Sequence, residues 1–171
     1  MLRLNLANRR IFMTFFTADF CDEYSDQVQV LAAGYNNYGG AHKCEGEIVT
    51  VALDKYNGEL IKLLRDTDGT GKVVVVDVQQ EYYAVVGEKL MEFAQQNHFA
   101  GIVINGYVRD TEQITDVPVG LYAIGTCPRK YIPTTVGQTQ IPLTFGGVSF
   151  QPGDYLYADK DGIIVTAQPL V

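Results

Sequence analysis

The sequence has no tryptophan, only two histidines and only three cysteines, and each scarcity excludes some chemistry. His42 and His98 are too few for a multi-histidine metal centre, so any metal would rest on carboxylate and water, the habit of a hard cation such as Mg²⁺. Cys21, Cys44 and Cys127 are odd in number, widely spaced and form no Cys-x-x-Cys pair. That argues against a disulfide framework and a thiolate zinc site, and predicts a reducing, cytoplasmic setting. With no histidine close by in sequence, these thiols read as buried or incidental. Basic residues are in deficit, 13 against 20 acidic, for a net charge of -7. No Lys/Arg stretch interleaves with aromatics, which disfavours direct nucleic-acid binding. No apolar run approaches the roughly 20 residues needed to span a membrane. Arg3, Arg9 and Arg10 lack the apolar stretch of a secretion signal and read as a loose tail. Gly39-Gly40 and Gly146-Gly147 open no Gly-x-Gly-x-x-Gly loop, and Ser149 sits in no Gly-x-Ser-x-Gly elbow.

What is present is the composition of one globular domain: 171 residues, 47% hydrophobic and 19% charged. The pattern becomes regular only after Met13, so residues 1–16 read as an N-terminal extension and 17–171 as the domain. Residues 17–24 carry the Thr cap and acidic first turn of a short helix, with a strand expected at 28–32 and a glycine-rich loop at 34–46. A strand over 47–53, a helix over 58–66 and a Val-rich strand over 72–78, buried on both faces, suggest βαβ connections. An amphipathic helix over 87–98, a buried strand over 101–105 and a short helix around 111–115 follow. Beyond that, strands at 121–125, 141–150, 155–158 and 163–167 are set off by Gly, Pro and Asp turns. This order predicts an α/β domain of layered sheets with helices on one side.

Polar residues gather at four places where such scaffolds bind ligands: 77–81 and 105–110 after buried strands, 87–90 opening a helix, and 159–162. The strongest pair is 87–90, where the backbone N–H groups of Gly87, Glu88, Lys89 and Leu90 can hold an anion, with Arg109-Asp110, a cation beside a hard oxygen ligand. Together they describe a site for a small carboxylate. Each also has a plainer reading. An Arg-Asp dipeptide is commonly a loop ion pair, Glu88 is a favourable partner for a helix dipole, and Gly87 suits a turn. Residues 159–162 read most simply as a hairpin turn.

Three motifs carry a resemblance to a known family. They are Thr17-Ala18-Asp19-Phe20-Cys21-Asp22, the stretch Gly101-Ile102-Val103-Ile104-Asn105-Gly106-Tyr107-Val108-Arg109-Asp110, and residues 145–159 with Phe145-Gly146-Gly147 and Gln151-Pro152-Gly153-Asp154. In this order they resemble the RraA family, named for regulators of ribonuclease activity and related to class II pyruvate aldolases. The resemblance implies a swivelling β/β/α fold assembled as a homotrimer. The family's aldolase branch carries an Asp, twenty residues, then Arg-Asp; here twenty residues separate Glu88 from Arg109-Asp110, with Glu standing for Asp. The resemblance implies that Asp110 ligates Mg²⁺ or Mn²⁺, which chelates a 2-oxo acid and stabilises its enolate. It further implies that Arg109 binds the keto oxygen or carboxylate, that Gly87, Glu88, Lys89 and Leu90 hold the substrate carboxylate, and that Glu88 orients a water for proton transfer. The implied activity is cleavage of 4-hydroxy-4-methyl-2-oxoglutarate-type acids to pyruvate, with oxaloacetate decarboxylation. The alternative is a non-catalytic regulator that binds RNase E through an acidic surface. Where family members usually have Asp-Gly-Gly-Gly, this chain has Asp77-Val78-Gln79-Gln80-Glu81, which predicts extra side chains where a ligand approaches.

Overall fold

The computed structural model describes residues 4–5, 12–130 and 137–170. Arg3, Arg9 and Arg10 lie outside them. In chain order the strands are β1 (Leu4–Asn5), β2 (Phe12–Met13), β3 (Gln29–Val30), β4 (Asn36–Asn37), β5 (Cys44–Ala52), β6 (Lys72–Asp77), β7 (Ala84–Val86), β8 (Gly101–Val108), β9 (Gly120–Thr126), β10 (Gln138–Thr139), β11 (Leu143–Phe145), β12 (Val148–Phe150), β13 (Tyr155–Ala158) and β14 (Ile163–Thr166). The helices are α1 (Thr17–Glu23), α2 (Gly58–Asp66) and α3 (Glu88–Gln96). One ten-stranded sheet runs β3-β14-β13-β5-β6-β8-β9-β4, with β10 added to β5 and β7 to β8. Its centre, β5, β6, β8 and β9, is parallel, and the flanking pairs are antiparallel.

The valine run of β6 shows how the layers form. Val73, Val74, Val75 and Val76 are all fully buried, and the alternation of a strand sends them to opposite sides. Val74 and Val76 pack with Leu60 and Leu64 of α2 and Met91 and Ala94 of α3. Val73 and Val75 pack with Phe145, Val148 and Phe150 of the β11–β12 hairpin. Helix α1 packs through Phe20 on Tyr157 and Ile164. Tyr157 pairs with Glu45, and side chains at every second residue of β5 share a face, so Tyr157 lies on the face that carries Val51 and the other helices. All three helices therefore cover one side of the sheet and the hairpin covers the other, the layered α/β arrangement anticipated from the element order.

Several local expectations change. Thr17 does not cap α1: Phe16 is the N-cap, and the N–H and hydroxyl of Thr17 instead donate to the buried Asp159 carboxylate at 2.8 and 2.7 Å. A carboxylate from the β13–β14 turn thus fills the capping role from afar. The helix expected near 111–115 is a single turn, in which the Asp110 carbonyl accepts from both Gln113 and Ile114 N–H. Ile114 is fully buried and Pro118 brings no N–H, so the turn does not propagate. The strand expected over 141–150 folds back at Gly146 and Gly147, whose φ values of +58° and +75° make the two-residue hairpin turn. Residues 159–162 do form the turn between β13 and β14.

Candidate functional site

Strand β7 carries no strong sequence signal, yet it builds the site. Strand β6 pairs with β8 up to Asn105, and β7 then takes over beside Tyr107 and Val108. Between them the chain turns through Gln79 and Gln80, both left-handed at φ +52° and +58°. The Arg109 N–H donates to the Val86 carbonyl at 3.0 Å, which fastens the end of β8 to the start of α3.

At this junction the Asp110 carboxylate accepts the Glu88 N–H through Oδ2 at 2.9 Å, which satisfies one of the donors a helix start leaves unpaired. The contact depends on Gly87. A Cβ there would stand 2.4 Å from Asp110 Oδ2 and 3.2 Å from Arg109 Cγ, so any side chain would displace the Asp110 carboxylate. Asp110 itself is left-handed at φ +58°, a conformation Asp tolerates better than most residues. Arg109 Nε lies 3.9 Å from Asp110 Oδ2, with both side chains about one-third exposed. An ion pair this long and wet contributes little, so the guanidinium keeps its donors for a ligand.

These residues open onto a cavity of about 480 Å³, within the size range of small-molecule sites. Gly87, Glu88, Lys89, Leu90, Arg109 and Asp110 all line it, so the structure brings together the residues singled out in the sequence. Leu90 contributes backbone and wall, since its side chain is buried in the helix-side core. Sequence reasoning missed Tyr56, Asn57, Arg65 and Lys130 in the wall. Asn57 could have been noticed as the residue before α2; it holds that wall by donating to the Val85 carbonyl at 3.1 Å. Lys130 carried no signal. Arg65 is held by the Asp66 carboxylate through two hydrogen bonds of 2.8 and 2.9 Å, and of the remaining charges Lys89, Arg109 and Lys130 outnumber Glu88 and Asp110, which favours an anionic guest.

Residues 77–81 belong elsewhere. Asp77 accepts from Asn105 and the Gln79 N–H, while Tyr35 and Gln80 donate to the Asn105 side chain. Val78 is buried in the helix-side core, and Gln79, Gln80 and Glu81 are exposed. None lines the cavity, so the added side chains expected near the ligand do not crowd it.

Among the described residues no group of three or more His, Cys, Asp or Glu could cage a metal ion. Asp110 alone fits a different mode. It is a partly exposed carboxylate in the cavity wall, with a hydrogen bond only to Oδ2 among the described residues, as suits Mg²⁺ held by one carboxylate, water and substrate.

The family model described as RraA-like, Aldolase/RraA, matches residues 17–165. The chain belongs to the RraA-like family. A relative in Azotobacter vinelandii named "Putative 4-hydroxy-4-methyl-2-oxoglutarate aldolase" is 43% identical over 159 residues, 92% of this chain and 98% of that one. Among solved structures, one from Geobacillus kaustophilus described as S-adenosylmethionine:2-dimethylmenaquinone methyltransferase is 38% identical with a TM-score of 0.87, covering 91% of this chain and 97% of that one. The RNA-processing inhibitor RraA from Thermus thermophilis is 32% identical, also with a TM-score of 0.87, covering 93% and 96%. In this RraA-like chain, Glu88 meets Asp110 through its backbone N–H, so that contact does not depend on whether Asp or Glu stands at position 88.

Proposed function

We propose that this RraA-like protein is a divalent-metal-dependent lyase that cleaves 4-hydroxy-4-methyl-2-oxoglutarate-type 2-oxo acids to pyruvate, with oxaloacetate decarboxylation as a second reaction. The observation that carries this reading is the meeting of Arg109, Asp110 and the start of α3 on one cationic cavity. The first intrahelical bond of α3 runs from the Met91 N–H to the Gly87 carbonyl, so the N–H groups of Lys89 and Leu90 precede the ladder and suit a substrate carboxylate. Arg109 would place its charge against the 2-oxo group, where negative charge builds as the C3–C4 bond breaks. The C4 hydroxyl loses its proton as C4 becomes a carbonyl, and C3 gains a proton as pyruvate forms. Glu88, on the cavity wall, would accept and return that proton by way of a water. Asp110 would hold Mg²⁺ or Mn²⁺, which supplies a Lewis acid for the 2-oxo acid.

The test is pyruvate release from 4-hydroxy-4-methyl-2-oxoglutarate and oxaloacetate with Mg²⁺ or Mn²⁺ and again with EDTA. Turnover should require metal, and Arg109→Ala or Asp110→Ala should abolish it; turnover unaltered in either variant refutes the mechanism. The 32% identity to the RNA-processing inhibitor and the net charge of -7 support a second reading, a regulator docking on basic surfaces such as those of RNase E. Inhibition of RNase E cleavage that survives Arg109→Ala and Asp110→Ala would assign it to a separate surface. The homotrimer implied by the resemblance is checked by sedimentation.

A further inference from the structure

We propose, resting on the lyase reading of this site, that it prefers 4-hydroxy-2-oxoglutarates whose C4 carries a longer apolar group over the 4-methyl compound, with Ile61 and Phe93 setting the preference. The cavity of about 480 Å³ suits a drug-sized molecule, so a small 2-oxo acid fills only part of it. Besides its charged groups, Tyr56, Ile61 and Phe93 line it, and all three are half-buried, with apolar surface still open. Ile61 and Phe93 pack against the helix-side core, which fixes them in place. The Tyr56 ring lies on Gly58, where a Cβ would stand 1.9 Å from it, so it is held against the start of α2.

Helix α3 relates this apolar surface to the substrate. Lys89 and Leu90 offer their N–H groups to the C1 carboxylate, and Phe93 stands about one turn, or roughly 6 Å, further along the same helix. An extended 2-oxo acid covers most of that span between C1 and C4, so a C4 substituent reaches the level of Phe93 and of Ile61 on the packed helix α2. The polar groups of the wall have other work. Arg65 is held by Asp66, and Asn57 donates to the Val85 carbonyl. Arg109, Asp110 and Glu88 serve the reacting atoms in the proposed cleavage. Lys130 follows Arg129, whose carbonyl accepts the Ala84 N–H at 2.7 Å, at the end of β7 away from Gly87, and suits the second carboxylate that these acids share. The C4 group therefore meets apolar surface, and covering it releases water. Cleavage breaks the C3–C4 bond and passes the C4 hydroxyl proton to C3, giving pyruvate and a second 2-oxo acid that keeps the apolar group.

A comparison of 4-methyl- and 4-isobutyl-2-oxoglutarate separates binding from turnover, because without the C4 hydroxyl neither acid can be cleaved. Each buried methylene adds about fourfold in affinity, and with the wall half-open the three extra carbons should make the isobutyl acid bind about tenfold more tightly, read by calorimetry with Mg²⁺ present. Ile61→Thr and Phe93→Ala should each cut that advantage to about threefold or less. Ile61→Thr, at a half-exposed position, decides the matter if Phe93→Ala does not fold. The 4-hydroxy counterparts should follow the same order in kcat/KM. Equal binding of the two acids, or an advantage undiminished in the folded variants, would overturn this inference, while the lyase reading would still stand on pyruvate release from the methyl substrate. Binding of neither acid would overturn both.

Discussion

Replacing Gly87 by Ala isolates the contact on which the candidate site turns. Gly87 has φ -140° and ψ -159°, extended backbone open to any residue, so the substitution introduces no backbone strain. What it introduces is a Cβ 2.4 Å from Asp110 Oδ2, where ordinary contact begins at 3.4 Å, so the carboxylate must retreat by about 1 Å. That retreat breaks the 2.9 Å bond from the Glu88 N–H. Losing this charge-assisted bond costs about 1.5 kcal/mol, a fall in Tm of about 3–6 °C for a chain of this size. A displacement of about 1 Å in a group that positions substrate costs about 100-fold in kcat/KM. Thermal denaturation and the pyruvate assay read the two effects separately. A double-mutant cycle with Asp110→Gly, which removes the carboxylate and suits the left-handed backbone, tests the cause: in that background Gly87→Ala should be nearly neutral for stability. An equal cost in both backgrounds would refute the steric argument, whatever the enzymatic outcome.

Two further predictions concern stability. His98, two residues past the end of α3, has φ +66°, with its N–H on the Gln95 carbonyl and the Phe99 N–H on that of Ala94, a helix stop that favours glycine. His98→Gly should therefore stabilise the fold by about 0.5–1 kcal/mol, read as a higher Tm; a lower Tm would count against it. The pKa of Asp159 is held below the ordinary value: burial pushes it up, but hydrogen bonds from Thr17 N–H, Thr17 hydroxyl and the N–H groups of Asp161 and Gly162 outweigh that. A depressed carboxylate pKa adds stability that is fully present above the unfolded value of about 3.9 and is lost as pH falls through the folded value. Thr17→Val should thus cost about 1–2 kcal/mol at pH 7 in urea denaturation, and the gap from the parent should narrow below about pH 4. A gap independent of pH would show that the hydroxyl does not act through the ionised carboxylate.

The sequence was most informative where one residue type has one use. The valines of β6 could only be a strand buried on both faces, and the helix over 58–66 shows both ends. Glycine at 87 and the Arg109-Asp110 pair pointed to a common site because strand ends and helix starts meet at one rim of a parallel sheet. Long-range contacts were not readable in this way. Thr17 looks like its own cap, and nothing nearby shows that Asp159 will take its donors. Glutamines at 79 and 80 hide two left-handed residues that glycine would have announced, and so conceal the turn that lets β7 return beside β8. Lys130 reaches the cavity through tertiary packing alone.

The outer strands of the main sheet, β3 and β4, are each only two residues long. A neighbouring chain would find almost no free ladder of N–H and carbonyl groups on which to add a strand, even though Val30 on β3 is 59% exposed. At these two edges the sheet therefore offers little to strand addition, and a molecule that meets it there does so through side chains and loops. An assembly built that way closes by shape and charge, and single substitutions can retune it without opening a route to endless strand addition.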